Sequence, residues 1–296
     1  MNHPLSAPTL ALLVGAAFWG VVWYPYRILA AAGLDGFWST LATYGGALVA
    51  GCLIFPRAVA SLFPLSLPAI VMGLAIGWSN LAYVLAVLQA DVMRVLLLFY
   101  LAPLWTVPLA RFILGERLDR FGFAVMALAL AGAVIMLWRP ELGAPWPSSR
   151  GEWLALLAGF LFALGNVLVR RITHLGDAAK SIVIWAGVTI AALVHLPTSD
   201  SSPAAAWHAA AATGPILGAI AFALVGMSLC LQYGLARLPA NRAIVILLFE
   251  LVVAAIAAYF LAGEALWMRD WIGAAFILAA SIAAGWGGAA RRVAAG

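Results

Sequence analysis

Of the eleven acidic residues in this chain, Glu250 alone stands near the middle of a long apolar run; the rest fall in loops or close to run ends. A carboxylate at the centre of a bilayer is costly and faces a cavity, a partner or a proton path. Two readings are open. In one, Glu250 holds a substrate ammonium or exchanges a proton for substrate, which makes it the coupling candidate. In the other it is a protonated carboxyl hydrogen-bonded to a neighbouring helix.

Further polar and aromatic residues lie deep in apolar runs. Trp19, Trp23 and Tyr26 recur at i, i+4 and i+7, one face of a helix, and Pro25 beside them removes a backbone donor. Asn80 and Tyr83 share a face from which Trp78 points away, and Tyr100 and Trp105 flank Pro103 with Pro108 a turn further on. Asn166, Trp185 and Gln232 add to the set from later in the chain. Trp19, Asn80, Tyr83, Tyr100, Trp105, Asn166, Trp185, Gln232 and Glu250 are therefore the expected cavity lining. Pro25, Pro103 and Pro108 are the expected bends or gating points. Aromatic faces attract ammonium groups and bury apolar area, while the amides can bond a carboxylate. Such a pocket suits a small zwitterion or an amphipathic metabolite. It does not suit a bare phosphate, because no arginine cluster falls within a run. For any one Tyr or Trp, ordinary packing is the alternative.

Catalytic chemistry finds no such support. The chain has no His-Glu-x-x-His, no paired aspartates within a run and no Ser/His constellation. His3, His174 and His208 are loop-placed, and His195 sits at a run end. No catalytic residue, metal ligand or cofactor is expected. Gly15, Gly73, Gly77, Gly159 and Gly226 are spaced irregularly and read as close helix contacts, not as a nucleotide loop.

The elements that must position these residues are set by composition. Hydrophobic residues make up 66% and charged residues 9% of the chain, and the mean hydropathy is +1.07. Soluble domains carry about 25% charge, so this is an integral membrane protein. The net charge of +5 comes from arginines between the runs, which read as topology signals and not as a nucleic-acid patch. Cys52 and Cys230 fall inside runs and read as packing residues.

A span takes about 20 apolar residues, and ten runs qualify: roughly 10–30, 37–55, 69–89, 92–113, 121–138, 152–170, 181–197, 214–235, 242–262 and 270–288. Arg139–Gly151 and Thr198–Thr213 are the longer loops. Ala30-Ala31-Ala32 resembles a cleavage site, yet no Lys or Arg precedes the first run, which reads as a retained helix. With the N-terminus inside, Arg57, Arg111, Arg117, Arg120, Arg170, Arg171, Lys180, Arg237, Arg242, Arg291 and Arg292 lie inside, and Arg27, Arg94, Arg139, Arg150 and Arg269 outside. The positive-inside rule then places both termini in the cytoplasm.

Arg94 to Leu118 returns in altered form as Arg242 to Leu266, aligning Phe112 with Phe260 and Gly115-Glu116 with Gly263-Glu264. The chain is thus two halves, 1–145 and 146–296, of five spans each. Because five is odd, the second half enters the membrane inverted. The expected fold is all-α: ten transmembrane helices as two inverted five-helix repeats around a central cavity, the architecture of alternating access.

Ten spans in two halves, each with a fourth helix ending in Gly-Glu that leads straight into the next, resemble the drug/metabolite transporter superfamily with its paired EamA-type domains. The likeness covers essentially the whole chain. Tyr100-Leu101-Ala102-Pro103-Leu104-Trp105, together with Asn166 ahead of Arg170-Arg171, is similar to the YddG-type exporters of aromatic and other neutral amino acids. The resemblance implies export of amino acids, aromatic ones and methionine among them, from the bacterial cytoplasm across the inner membrane. Protons are a further expected partner. Glu250 belongs to no pattern of that family, so its coupling role rests on depth alone. Other readings stay open: different cargo such as cationic drugs, which would lean on Glu250, or nucleotide sugars, which would want cavity arginines; a membrane-embedded lipid enzyme; or a channel, which would need a continuous polar stripe.

Overall fold

A computed structural model of the chain describes residues 6–90, 92–138, 146–199, 201–263 and 266–286. Arg139, Glu264, Arg291 and Arg292 lie outside the described residues, and so does the side chain of Arg94. The described residues are helical with short connections, and ten helices are long and apolar enough to cross a membrane.

In chain order the helices are α1 (Ala7–Ala31), α2 (Gly36–Ile54), α3 (Pro56–Ala60), α4 (Leu67–Gln89), α5 (Val92–Phe99), α6 (Ala102–Leu114), α7 (Arg120–Leu137), α8 (Arg150–Arg171), α9 (Asp177–His195), α10 (Pro203–Ala212), α11 (Gly214–Arg237), α12 (Ala240–Leu247), α13 (Phe249–Ala262) and α14 (Met268–Trp286). α5 with α6 forms the fourth span, and α12 with α13 the ninth. The expected spans are met within a few residues at each end. The loop expected over Thr198–Thr213 differs, because it contains α10. Ser202 caps that helix by accepting from the Ala205 N–H at 3.3 Å, Pro203 starts it, and the alanine-rich stretch beyond favours helix.

Sequence signals fix many helix ends. Asp35 caps α2 by accepting from the N–H groups of Phe37 and Trp38 (2.9 and 3.0 Å), and Asp119 caps α7 through Gly122 N–H at 2.8 Å. Ser149 caps α8, its Oγ accepting from the Glu152 N–H at 3.3 Å, while the Glu152 carboxylate reaches back to accept from the Ser148 N–H at 2.7 Å. α6 and α13 both end in a left-handed glycine, Gly115 (φ 71°) and Gly263 (φ 69°), the conformation that favours this residue.

Both long spans of that type are broken. In the fourth, Pro103 has no N–H to offer the Phe99 carbonyl, so α5 stops at Phe99 and α6 restarts at Ala102. The freed carbonyl lies against Gly159 of α8, where an added Cβ would come within 2.6 Å of it. In the ninth, the break falls at Leu248, whose N–H bonds Val245 in a tighter turn at 3.2 Å. No proline accounts for this second break. It occupies the matching position of the internal repeat, since α5 and α12 are both eight residues long and Arg94 aligns with Arg242.

Lipid tails are as apolar as leucine, so the helices associate through small residues and hydrogen bonds. α4 and α9 touch backbone to backbone: a Cβ on Gly73 would meet the Val183 carbonyl at 2.7 Å, and Gly77 and Gly187 are closer still. Gly132 lies against the Gly273 carbonyl where α7 meets α14. Gly226 has nothing within 4 Å of its Cβ position and is not a close contact, unlike Gly15, Gly73, Gly77 and Gly159. The packings come in exchangeable pairs: α4 on α8 with α11 on α1, α4 on α9 with α11 on α2, and α6 on α8 with α13 on α1. α2 also packs on α9, and α7 on α14.

Candidate functional site

Breaking the ninth span puts Glu250 in the first turn of α13, a helix start inside the membrane. Unpaired backbone N–H groups and the positive end of the helix dipole favour negative charge there. α1 passes directly behind, its Gly20 so close that a Cβ would sit 2.8 Å from the Glu250 carbonyl oxygen. Trp19, the preceding residue, stacks edge-on against Phe18 with ring centroids 5.6 Å apart and is only partly buried.

Across from Glu250 stands the break of the fourth span. The Glu250 carboxyl is hydrogen-bonded to Tyr100, the residue between α5 and α6, and Tyr83 of α4 lies within electrostatic range of both. Phe99 ties the group together, with Tyr83 at 5.3 Å, Tyr100 at 5.2 Å and Phe162 of α8 at 5.4 Å between centroids. The two helix breaks, one in the fourth span and one in the ninth, therefore meet around a carboxylate and an aromatic wall. Glu250 and Tyr83 keep accessible surface although both lie inside spans.

The other expected lining residues disperse. Trp105 packs edge-on against Phe160 at 5.7 Å, with its buried Nε1 lacking a partner among the described residues. Asn80 lines a separate small crevice with Phe37 and Thr40 of α2 and Ala191 of α9. Trp185 is fully buried, its Nε1 donating to Ser228 Oγ at 3.0 Å and its ring lying over Gly51, so it serves the α2–α9–α11 packing. Trp78 stacks on His195, away from the Tyr83 side. Tyr26 shares a 2.7 Å hydrogen bond with Thr43 of α2, and Trp23 sits under Arg27. Asn166 and Gln232 are buried with Nδ2 and Oε1 unpartnered among the described residues. An orphan of this kind costs about 1–3 kcal/mol. Pro25 and Pro108 lie inside continuous helices, and Pro103 is the one of the three at a break.

Two ties between residues far apart in the chain flank this centre. At one membrane face Glu116, just past α6, accepts from the Ala240 N–H at the start of α12 (2.8 Å) and from Arg170 Nε of α8 (3.2 Å). Arg170 also donates to the Ala236 carbonyl at 2.7 Å, and Arg171 donates to the Ile113 carbonyl at 2.5 Å. At the other face Asp35 accepts from Ser199 Oγ, and Trp38 Nε1 donates to the Ser201 carbonyl at 3.3 Å. Burial alone would raise the Asp35 carboxyl, but hydrogen bonds from Ser199, Trp38, Ser201 and Phe37 hold it below its usual range. These ties escaped the sequence reading, although the repeated Gly-Glu had marked Glu116.

Residues 149–285 match the EamA-like transporter family. A protein of Archaeoglobus fulgidus named "Uncharacterized transporter" is 26% identical over 199 residues, 67% of this chain and 68% of its own length. A solved structure described only as the crystal structure of a protein shares the fold, with a TM-score of 0.70 and 21% identity over 95% of this chain and 98% of that one. The second half of the chain is thus an EamA-like transporter domain, and the protein is a multi-pass membrane transporter of small molecules.

Proposed function

We propose that the protein exports neutral amino acids, aromatic ones and methionine among them, from the cytoplasm of a bacterium across its inner membrane. The halves 1–145 and 146–296 act as inverted repeats, both termini lie in the cytoplasm, and the cavity between the halves opens to each side in turn. One observation carries this reading: Glu250, Tyr83, Tyr100 and Phe99 meet where both broken spans face each other. Glu250 takes the substrate ammonium, the rings take an apolar side chain, and the unused Trp105 Nε1–H is a donor for the carboxylate. The family match beginning at residue 149 agrees with a boundary near 145.

The test is uptake by proteoliposomes of labelled methionine, phenylalanine, leucine and serine, with and without an imposed pH gradient. Saturable flux of the apolar amino acids supports the reading, and no flux of any of them refutes it. A cationic substrate is the second reading, favoured by the lone carboxylate within a span. Glu250→Gln separates the two, because it abolishes transport of a lipophilic cation while leaving zwitterion flux partly intact.

A further inference from the structure

Beside the Glu116 tie lies a crevice of about 210 Å³ between the α6–α7 connection, the start of α12 and the end of α14. Its walls combine Arg117, Arg242 and Asn241 with the apolar side chains of Phe121, Val125 and Ala284. Glu116 and Asp119 also border it, but the first is bound to the Ala240 N–H and Arg170 and the second caps α7 through Gly122. Arg242 is half-buried beside Glu116 and Arg117 is exposed. Among the described residues neither guanidinium makes a hydrogen bond or ion pair.

Asn241 points independently to a ligand. It is 7% exposed, and its Oδ1 has no partner among the described residues. A buried amide oxygen is an acceptor that wants an N–H or O–H. The depth of the crevice narrows what can supply one. The ninth span begins at Ala240, the fifth begins at Arg120, and Ala284 is in the last turn of the tenth, so the crevice opens at headgroup level. Phe121 is 52% exposed at its rim, and Phe123 beyond it is 67% exposed, both suited to acyl chains.

We propose that this crevice holds a phospholipid headgroup: the phosphodiester between Arg117 and Arg242, and a headgroup hydroxyl or ammonium donating to Asn241 Oδ1. Basic pockets between spans take lipid phosphates in this way. The donor requirement gives the site selectivity. Phosphatidylglycerol and phosphatidylethanolamine carry an O–H or N–H donor, whereas phosphatidylcholine carries none.

Native mass spectrometry of the full-length protein, titrated in detergent with each of these three lipids at matched chains, tests the assignment. Phosphatidylglycerol and phosphatidylethanolamine should each bind about tenfold more tightly than phosphatidylcholine, the worth of one added hydrogen bond to a buried acceptor. Asn241→Leu should erase that difference, and Arg242→Gln should weaken retention of all three. Should the Arg242 variant fail to fold, Arg117→Gln on the exposed rim carries the same expectation. Phosphatidylcholine binding as well as the other two overturns the proposal, as does retention unchanged in both arginine variants. Displacement of the lipid by millimolar inorganic phosphate would make this a soluble-phosphate site and equally overturn it. None of these readouts depends on which cargo the protein carries.

Discussion

Glu250 illustrates how a single charge in an apolar span acquires a role from its surroundings. Its depth was visible in the sequence, because a lone acid among leucines and valines stands out. Its position in the first turn of α13 and its bond to Tyr100 were not visible, because both depend on a helix break that no proline announces. Replacing it with glutamine keeps the volume and the hydrogen bond and removes only the charge. If Glu250 couples protons to export, gradient-driven amino-acid flux falls at least about tenfold, the lower end of what a positioned proton carrier contributes, while the thermal midpoint in detergent moves little. Flux in the variant that matches the unmodified protein would reduce Glu250 to a structural residue. Asp35 makes a pH-dependent prediction. Its carboxyl is held below the usual range in the folded protein. Its contribution is therefore fully present above the unfolded value of about 3.9 and is lost as pH falls through the lower folded value. Thermal midpoints of Asp35→Asn and the unmodified protein should differ at pH 6–8 and converge on acidification below about 4. Residue type and depth were legible throughout, but partnership was not: Asn80 and Tyr83, one turn apart, face different spaces, and Trp185 is committed to packing.

At the scale of helices, the ends and lengths of the spans follow directly from where the apolar runs stop and a capping residue begins. The breaks were half legible: Pro103 marks the first, and only the internal repeat points to the second. Close packing was legible as glycines, but not which of them matter, since that depends on what each one faces. Gly77→Ala should destabilise the protein by about 1–3 kcal/mol through forced separation of α4 and α9. Gly226→Ala, with open space around it, should be neutral or gain up to about 1 kcal/mol from helix propensity. Thermal unfolding of the two variants side by side checks this, and equal loss in both would contradict the packing described. Glu116 ties α6 to α8 and α12 with one carboxylate. Glu116→Gln should loosen that face, seen as faster labelling of a single cysteine placed at Asn241, with unchanged labelling at Ala32 on the opposite face.

For the molecule as a whole, the exchangeable packing of α4–α8 with α11–α1 and of α6–α8 with α13–α1 is the pattern expected of two equivalent halves. It accompanies the sequence repeat of Arg94–Leu118 in Arg242–Leu266, on which the proposal of two inverted halves rests. What the sequence could not convey was that each face is fastened between residues far apart in the chain, by Glu116 at one and Asp35 with Ser199 at the other. A carrier of the kind proposed releases one fastening while the other holds. The most direct test attaches spin labels, in a background with Cys52 and Cys230 replaced by alanine, at Arg120 and His174 across the Glu116 face and at Ala32 and Ala204 across the Asp35 face. The account predicts that a transported amino acid, added to the protein in bilayers, shifts the two distance distributions in opposite directions, one face opening as the other closes. Both pairs lengthening together, or neither responding to any transported substrate, would contradict it.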